Sequence, residues 1–502
     1  MMNTLLRTTF SIALCACAPL DDPQASTPLD DPQASTPETD EPIEQLAPAP
    51  WPPLRDPVTH DVDFDLSRVL ERSQLESACQ RYRSGDRSET TVRQCGKWMF
   101  FYESFGTVGI PTHLLEFLQR WFQPYYGVGF AGLGFVPSPG SEPPMPIGLV
   151  ESTQRMGSIK THAFTCASCH FGQMPDGRYA VGYPNLELDY GRFFGTMIAL
   201  IKLSMNPNDP AVPELIRLEL AEDVAQARSL DGFMIALGSL GLNMATRAGD
   251  AMSSGVMDLS PQEQLRFWSL RTGTMDFLTK PMADDGVWTV SRILNLWNLP
   301  TPAQLEQAEM PHGQLSWTGI GRSVMGFLHG FVAISGSNRT WTDEQLMPLE
   351  QYLYSLRAPA PLVPIDRAQA ARGETLFRET GCLGCHDGPS GEGRRLFDFE
   401  EIGTDSALRA IYNPDPQGNL CCGLDAAGDQ ATRAIKSPRL AGQRYRTRLL
   451  HNGSLDNLRQ LLCLEERPER RGAGQSSTGH RFGCDDLSED QKDDLIAYLE
   501  SL

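Results

Sequence analysis

Apolar residues recur at spacings of three and four through Phe193–Leu203, Pro213–Leu240 and Leu265–Leu278, the period of helices that bury one face. Thr342-Asp-Glu-Gln345 reads as a capping box, and it predicts a further helix running to about Leu356. Asp366 can cap a helix through Phe377, with Gly373 and Phe377 one turn apart. Ser488 and Gln491 form a second capping box, opening a helix that carries Leu495, Ile496, Tyr498, Leu499 and Leu502 on one side. Between these helices the run Ala358-Pro-Ala-Pro-Leu-Val-Pro364 breaks the pattern and predicts a connector at 358–365. Upstream, Val92 to Phe122 is rich in aromatic and apolar residues, and a Gly/Pro-rich stretch follows from Tyr126 to Pro146. The expected class is mainly α, with long loops and helical insertions, in two folded parts at 56–357 and 366–502.

The first residues read as a targeting segment. Met1 to Arg7 ends in a positive charge, and the apolar run Thr8 to Ala16 is too short to span a membrane. Leu14-Cys-Ala-Cys17 resembles a bacterial lipobox, which would make Cys17 a lipidated N-terminus and 1–17 the signal; an ordinary signal peptide cleaved nearby is the other reading. Next, the nonapeptide Leu-Asp-Asp-Pro-Gln-Ala-Ser-Thr-Pro occurs twice, at 20–28 and 29–37. Its Pro, Ser and acidic content cannot bury enough apolar surface to fold, so 18–55 reads as a disordered tether. The expected place is extracytoplasmic, in the periplasm or cell envelope, with the membrane reached only through a lipid on Cys17.

Composition changes this picture little. The 502 residues are 40% hydrophobic, an ordinary globular value, and the formal net charge is -20. An acidic surface excludes the phosphate backbone of nucleic acid as a partner. It suits a small basic redox protein, either donor or acceptor.

The chemistry lies in two short motifs, Cys166-Ala-Ser-Cys169-His170 and Cys382-Leu-Gly-Cys385-His386. Two cysteines with two residues between them attach a haem through its vinyl groups, and the following histidine reaches the iron. A lone CxxC also suits a redox disulfide or half a zinc site; the added histidine, twice, in an exported chain, narrows the reading to two covalent haems c. The histidines are 216 residues apart (386 − 170), so each haem is expected in its own cytochrome c-like domain.

The ligand opposite each histidine decides between electron transfer and chemistry at an open iron. No Met lies between His386 and the C-terminus, so bis-His ligation by His480 or His451 is expected there. For the His170 centre the candidates are His162, Met197, Met205, Met325 and His329, and the sequence does not choose; Met174, four residues past His170, falls on the proximal side. Of the remaining cysteines, Cys79 and Cys95 form the natural local disulfide. Cys421 and Cys422 are each expected to pair with Cys463 or Cys484.

Three stretches carry a resemblance to the bacterial di-haem cytochrome c peroxidases, and within them to the branch that includes the rubber oxygenase. They are Pro146-Ile-Gly-Leu with Phe164–Gln173 and Gly182-Tyr-Pro-Asn185; Arg372–Phe377 leading into Gly381–His386; and Ser437-Pro-Arg-Leu440, Leu450–Leu455 and Gly479–Gly483. The resemblance implies two haem domains packed together, one iron reactive toward H2O2 or O2 and the other relaying electrons. It also implies His170 and His386 as proximal ligands, His480 as the second ligand of the latter haem, and His451 near a haem edge. Arg322, His329 and Glu151 are candidates for acid–base work; Trp317-Thr-Gly and the Arg322-to-His329 segment fall where the family builds its first-haem distal side, and there this chain departs from the family wording. The rival reading is a lipid-tethered electron carrier with both irons six-coordinate.

Overall fold

The capping boxes close as their spacing predicts in the computed structural model. It describes residues 61–107, 109–140, 145–153, 160–188, 193, 292–310, 315–317, 319, 323–334, 337, 339–406, 434–469 and 476–502. All of these belong to one unit, Trp51–Leu502. The signal, the tether, Arg322, Met197, Met205, and nearly all of the helices expected over 193–278 lie outside the described residues.

Two helices, α1 (Arg72–Arg83) and α2 (Glu89–Tyr102), are tied together by the Cys79–Cys95 disulfide. Across α2 lies the helix Asp343–Ser355, whose N-cap Thr342 and Gln345 form the full capping box. Their apolar faces meet through Phe100, Phe101 and Tyr352, all essentially inaccessible, with the Phe100 and Tyr352 rings 6.0 Å apart. One polar cluster sits inside this core. Lys97 Nζ lies 2.9 Å from Asp61 Oδ1, and the Tyr352 hydroxyl donates to the same oxygen at 2.9 Å.

The strands are few and short. β1 (Val62–Asp63), β5 (Phe171–Gln173) and β6 (Tyr179–Val181) form one antiparallel sheet with β6 in the centre, Val62 opposite Ala180 and Phe171 opposite Val181. A second sheet pairs β4 (Thr161–Phe164) with β2 (Ile110–Pro111) and β3 (Leu149–Glu151). Cys166–His170 is the single helical turn joining β4 of one sheet to β5 of the other. Its described flanks are therefore strands, where a mostly helical surrounding was expected.

The C-terminal part is helical. α3 (Arg367–Glu379) is capped by Asp366, which accepts from the amides of Ala368 and Gln369. α4 (Glu489–Glu500) is capped by Ser488 with Gln491. The two cross where Gly373 meets Asp494, so closely that a Cβ at Gly373 would lie 1.9 Å from the Asp494 carbonyl oxygen. Below the crossing lie Phe377, Leu455, Leu458, Leu462, Leu495 and Leu499, a small core of its own. Beside it β7 (Leu396–Asp398) pairs with β8 (Ala434–Lys436).

Residues 292–299 run between the two motif regions as a strap. Toward the first, Leu296 N–H donates to Gly182 O and the Trp297 indole to Val181 O. Toward the second, Arg292 N–H donates to His451 O and the Asn295 amide to Ala441 O. The connector 358–365 is held as well: Tyr445 and Arg178 both donate to Ala360 O.

Among the described residues Cys463 is bonded to Cys484. This corrects the expectation that each would bond to Cys421 or Cys422, which lie outside the described residues; Gln460–Cys463 and the His480–Cys484 turn pack side by side, and that proximity decides the pairing. No described helix is long and apolar enough to cross a membrane.

Candidate functional site

Four described cysteines have no disulfide partner: Cys166, Cys169, Cys382 and Cys385, the members of the two motifs. Burial pushes the thiols of Cys166 and Cys169 up to about 12 and those of Cys382 and Cys385 upward too.

At the second motif, Gly381 takes a left-handed conformation that ends α3 and starts the turn Cys382–Gly384. His386 N–H then donates to Cys382 O at 3.0 Å, which brings the histidine back under the cysteines. The imidazole Nδ1 bonds Gly391 O at 2.5 Å. That bond fixes the tautomer with Nδ1 protonated and leaves Nε2 as a bare donor, the arrangement metal-bound histidines use.

Facing it is His480. The ring centres are 6.4 Å apart and the planes are inclined at 62°. A metal–imidazole bond is about 2 Å and the ring centre lies about 1 Å behind the nitrogen, so two imidazoles on opposite sides of one ion have centres about 6 Å apart. His480 sits on a left-handed turn (φ 56°), and Arg467 grips that turn by donating to the carbonyls of Ser477, Gly479 and His480. Burial lowers the His480 pKa to about 4, with His386 adding to the effect, so both rings are neutral and able to coordinate.

Both rings, with Cys382 and Cys385, line a cavity of ≈ 550 Å³ walled by Phe377, Leu440, Leu449, Leu458 and Leu495. Sulfurs on the wall, opposed imidazoles and an apolar lining fit a haem c. His451 lines the same cavity but packs edge-on against Phe399 and Trp317, at 5.9 and 6.3 Å, and has no ring contact with His386.

At the first motif, His170 N–H donates to Cys166 O, Gly182 N–H to His170 O, and Asn185 N–H to Cys169 O. Ser168 anchors the turn by donating to Gly148 O, and Gly148 is required there: its φ is 90° and a Cβ would lie 2.2 Å from Ser168 N. His170 is buried, and burial lowers its pKa to about 4, a backbone hydrogen bond with Leu294 opposing the shift. Two free thiols beside a buried neutral imidazole with the required spacing fit a second attachment site.

The other candidates are dispersed. His162, in β4, shares a hydrogen bond with Thr112 at 2.9 Å; Met174 is buried in the core; Met325 packs at its margin. His329 is half-exposed and bonds Asp343 at 2.7 Å, while Glu151 is half-exposed and pairs with Lys160 at 3.6 Å. None of these lines the ≈ 550 Å³ cavity. Among the described residues no imidazole has a ring contact with His170 of the kind His480 makes with His386.

Sequence reasoning passed over a group of buried cations. Arg292, Lys436, Arg439 and Arg446 are each at most 5% exposed, and three of them, Arg292, Lys436 and Arg446, line the cavity. Their signal was the basic spacing of Lys436-Ser-Pro-Arg439 and Arg446 within an apolar stretch of an acidic chain.

The cytochrome c family pattern matches residues 370–502. The C-terminal part is a cytochrome c domain. That domain implies haem binding and electron transfer, with at least one haem c at Cys382 and Cys385. Together with two disulfides it points to an extracytoplasmic protein. The comparison with curated proteins finds no match. Among solved structures, hydrazine synthase of Kuenenia stuttgartiensis, pressurised with 20 bar xenon, matches at 16% identity and a TM-score of 0.21. That match covers 35% of this chain and 61% of that chain.

Proposed function

We propose that the chain is an exported di-haem oxidoreductase, in which the cytochrome c domain passes electrons to a reactive centre at His170 that acts on a small oxidant, H2O2 or O2. The observation that carries the reading is the opposed His386–His480 pair, in a part of the chain that the strap 292–299 ties, through His451 O and Ala441 O on one side and Gly182 O on the other, to the residue whose amide bonds His170 O. Haem supplies an iron that exchanges single electrons and, where one face is open, binds O2 or peroxide. His386 and His480, with Cys382 and Cys385, would hold one haem within the apolar wall of the cavity. Cys166, Cys169 and His170 would hold the other. Arg322, His329 and Glu151 remain the acid–base candidates, and a small redox protein is the electron donor. The protein stands in the periplasm or cell envelope, tethered by a lipid on Cys17.

Optical and EPR spectra of the purified holoprotein test the reading. A high-spin component is expected that disappears in His170→Gly and persists in His386→Gly. Spectra with only low-spin haem in every oxidation state would leave the electron-carrier alternative and remove the catalytic one.

A further inference from the structure

Three cations reach the wall of the His386–His480 cavity from different parts of the chain. Lys436 ends β8 and Arg446 follows the turn Gln443–Tyr445, both inside the cytochrome c domain. Arg292 opens the strap, 78 residues before the pattern at 370–502 begins (370 − 292). Their exposures are 2%, 5% and 3%, so all three are cut off from water.

Arg292 is fixed in place from outside that domain. Its N–H donates to His451 O at 2.7 Å, its carbonyl accepts from the Trp317 indole at 2.9 Å, and its Nε donates to Leu450 O at 2.6 Å. The guanidinium lies 4.9 Å over the Trp317 ring. Arg446 Nη2 donates to Arg439 O at 2.8 Å, and the Lys436 amide to Trp317 O at 2.7 Å. Among the described residues, Arg292 Nη1, Lys436 Nζ, and Arg446 Nε and Nη1 are buried with no hydrogen-bond partner. The two acids on the cavity wall, Glu379 and Asp486, are exposed. Buried charged donors are costly unless an anion meets them, so this wall suits an anionic guest.

A haem attached through its vinyl groups brings two carboxylate side chains into the same cavity, and a guanidinium fork matches a carboxylate. We propose that Arg292, Lys436 and Arg446 bind these carboxylates, so that the haem site of the cytochrome c domain is completed by a residue from outside it. The inference goes beyond the proposed activity and needs only the haem at Cys382 and Cys385. Each carboxylate is then held ionised by the cations around it.

Protein made with 5-aminolevulinic acid labelled with 13C at its carboxyl carbon carries the label in the haem carboxyl groups. Their infrared bands distinguish the ionised form from the protonated one. Arg292→Met keeps the backbone bonds to His451 and Trp317. It should raise the midpoint of carboxyl protonation by about one pH unit, tenfold in the acid constant. Lys436→Met should act in the same direction, and Arg292→Lys should return the parent spectrum. An Arg292→Met spectrum that matches the parent at every pH would overturn the role of the strap residue, whatever Lys436→Met does. Carrying Cys166→Ala and Cys169→Ala in parent and variants confines the label to the haem at Cys382 and Cys385. A change that vanishes there would overturn the assignment to this haem. Should Arg292→Met fail to fold, the parent decides: only ionised bands are expected at about pH 6, and a protonated band there overturns the proposal.

Discussion

The imidazoles of His386 and His480 face one another with ring centres 6.4 Å apart, while His451, on the same cavity wall, turns its ring toward Phe399 and Trp317. His480→Ala should therefore give a high-spin signal at the second centre that added imidazole converts back to low-spin. His451→Ala should leave that centre low-spin. The reverse pattern in optical and EPR spectra would exchange the two assignments.

Gly373 is fixed by the crossing of α3 and α4, where no Cβ fits against the Asp494 carbonyl. Gly373→Ala forces the helices apart and should cost about 1–3 kcal/mol, as overpacking does. Urea unfolding of the reduced and oxidised holoprotein would measure it; an unchanged midpoint would contradict the close crossing.

Asp61 neutralises Lys97 deep in the core and accepts from Tyr352. Burial raises the Asp61 pKa, and Lys97 and the Tyr352 hydroxyl oppose the rise. Asp61→Asn takes the carboxylate away from the buried Lys97 ammonium and should destabilise by about 3–5 kcal/mol. The double variant Asp61→Asn with Lys97→Met should recover most of that loss in thermal unfolding, an outcome that a purely steric role for Asp61 would not produce.

Glu103 gives a pH dependence with a definite sign. Burial raises its pKa above the ordinary 4.5, outweighing Arg339 and Arg83 beside it. Above the unfolded value the native state then binds more protons than the unfolded chain, so stability falls as pH rises through the native pKa. Glu103→Gln keeps an oxygen for the Phe105 amide and removes the titration. The variant's stability relative to the parent should grow from about pH 4 to pH 7, read from denaturant midpoints at constant slope. A difference that shrinks over that range would reverse the sign.

What could be read in the sequence was local. Thr342 with Gln345, Asp366, and Ser488 with Gln491 specify helix starts within three residues, and each helix begins where its cap places it. The CxxCH spacing is local too, as is the Cys79–Cys95 pairing. The strands around His170 were not legible, because segments of two to four residues carry too little alternation to register as a period. The Cys463–Cys484 bond, the choice of ring facing His386 and the buried cations all depend on loops meeting across tens to hundreds of residues. Arg292 and Arg446 are 154 positions apart (446 − 292), and only the folded chain shows that they act on one another.

The strap and the cation cluster impose an order of assembly on a chain made from one end. Arg439, which donates to Asn295 O in the strap, lies 269 residues downstream of His170 (439 − 170). Cys166 and Cys169 thus emerge long before the residues that will enclose them, and they stay accessible to attachment chemistry while the rest of the chain is still being delivered. The bonds between the strap and the C-terminal segment come last, and a chain cut short before Arg439 would leave Asn295 without the Ala441 carbonyl and the Arg439 donor that hold it.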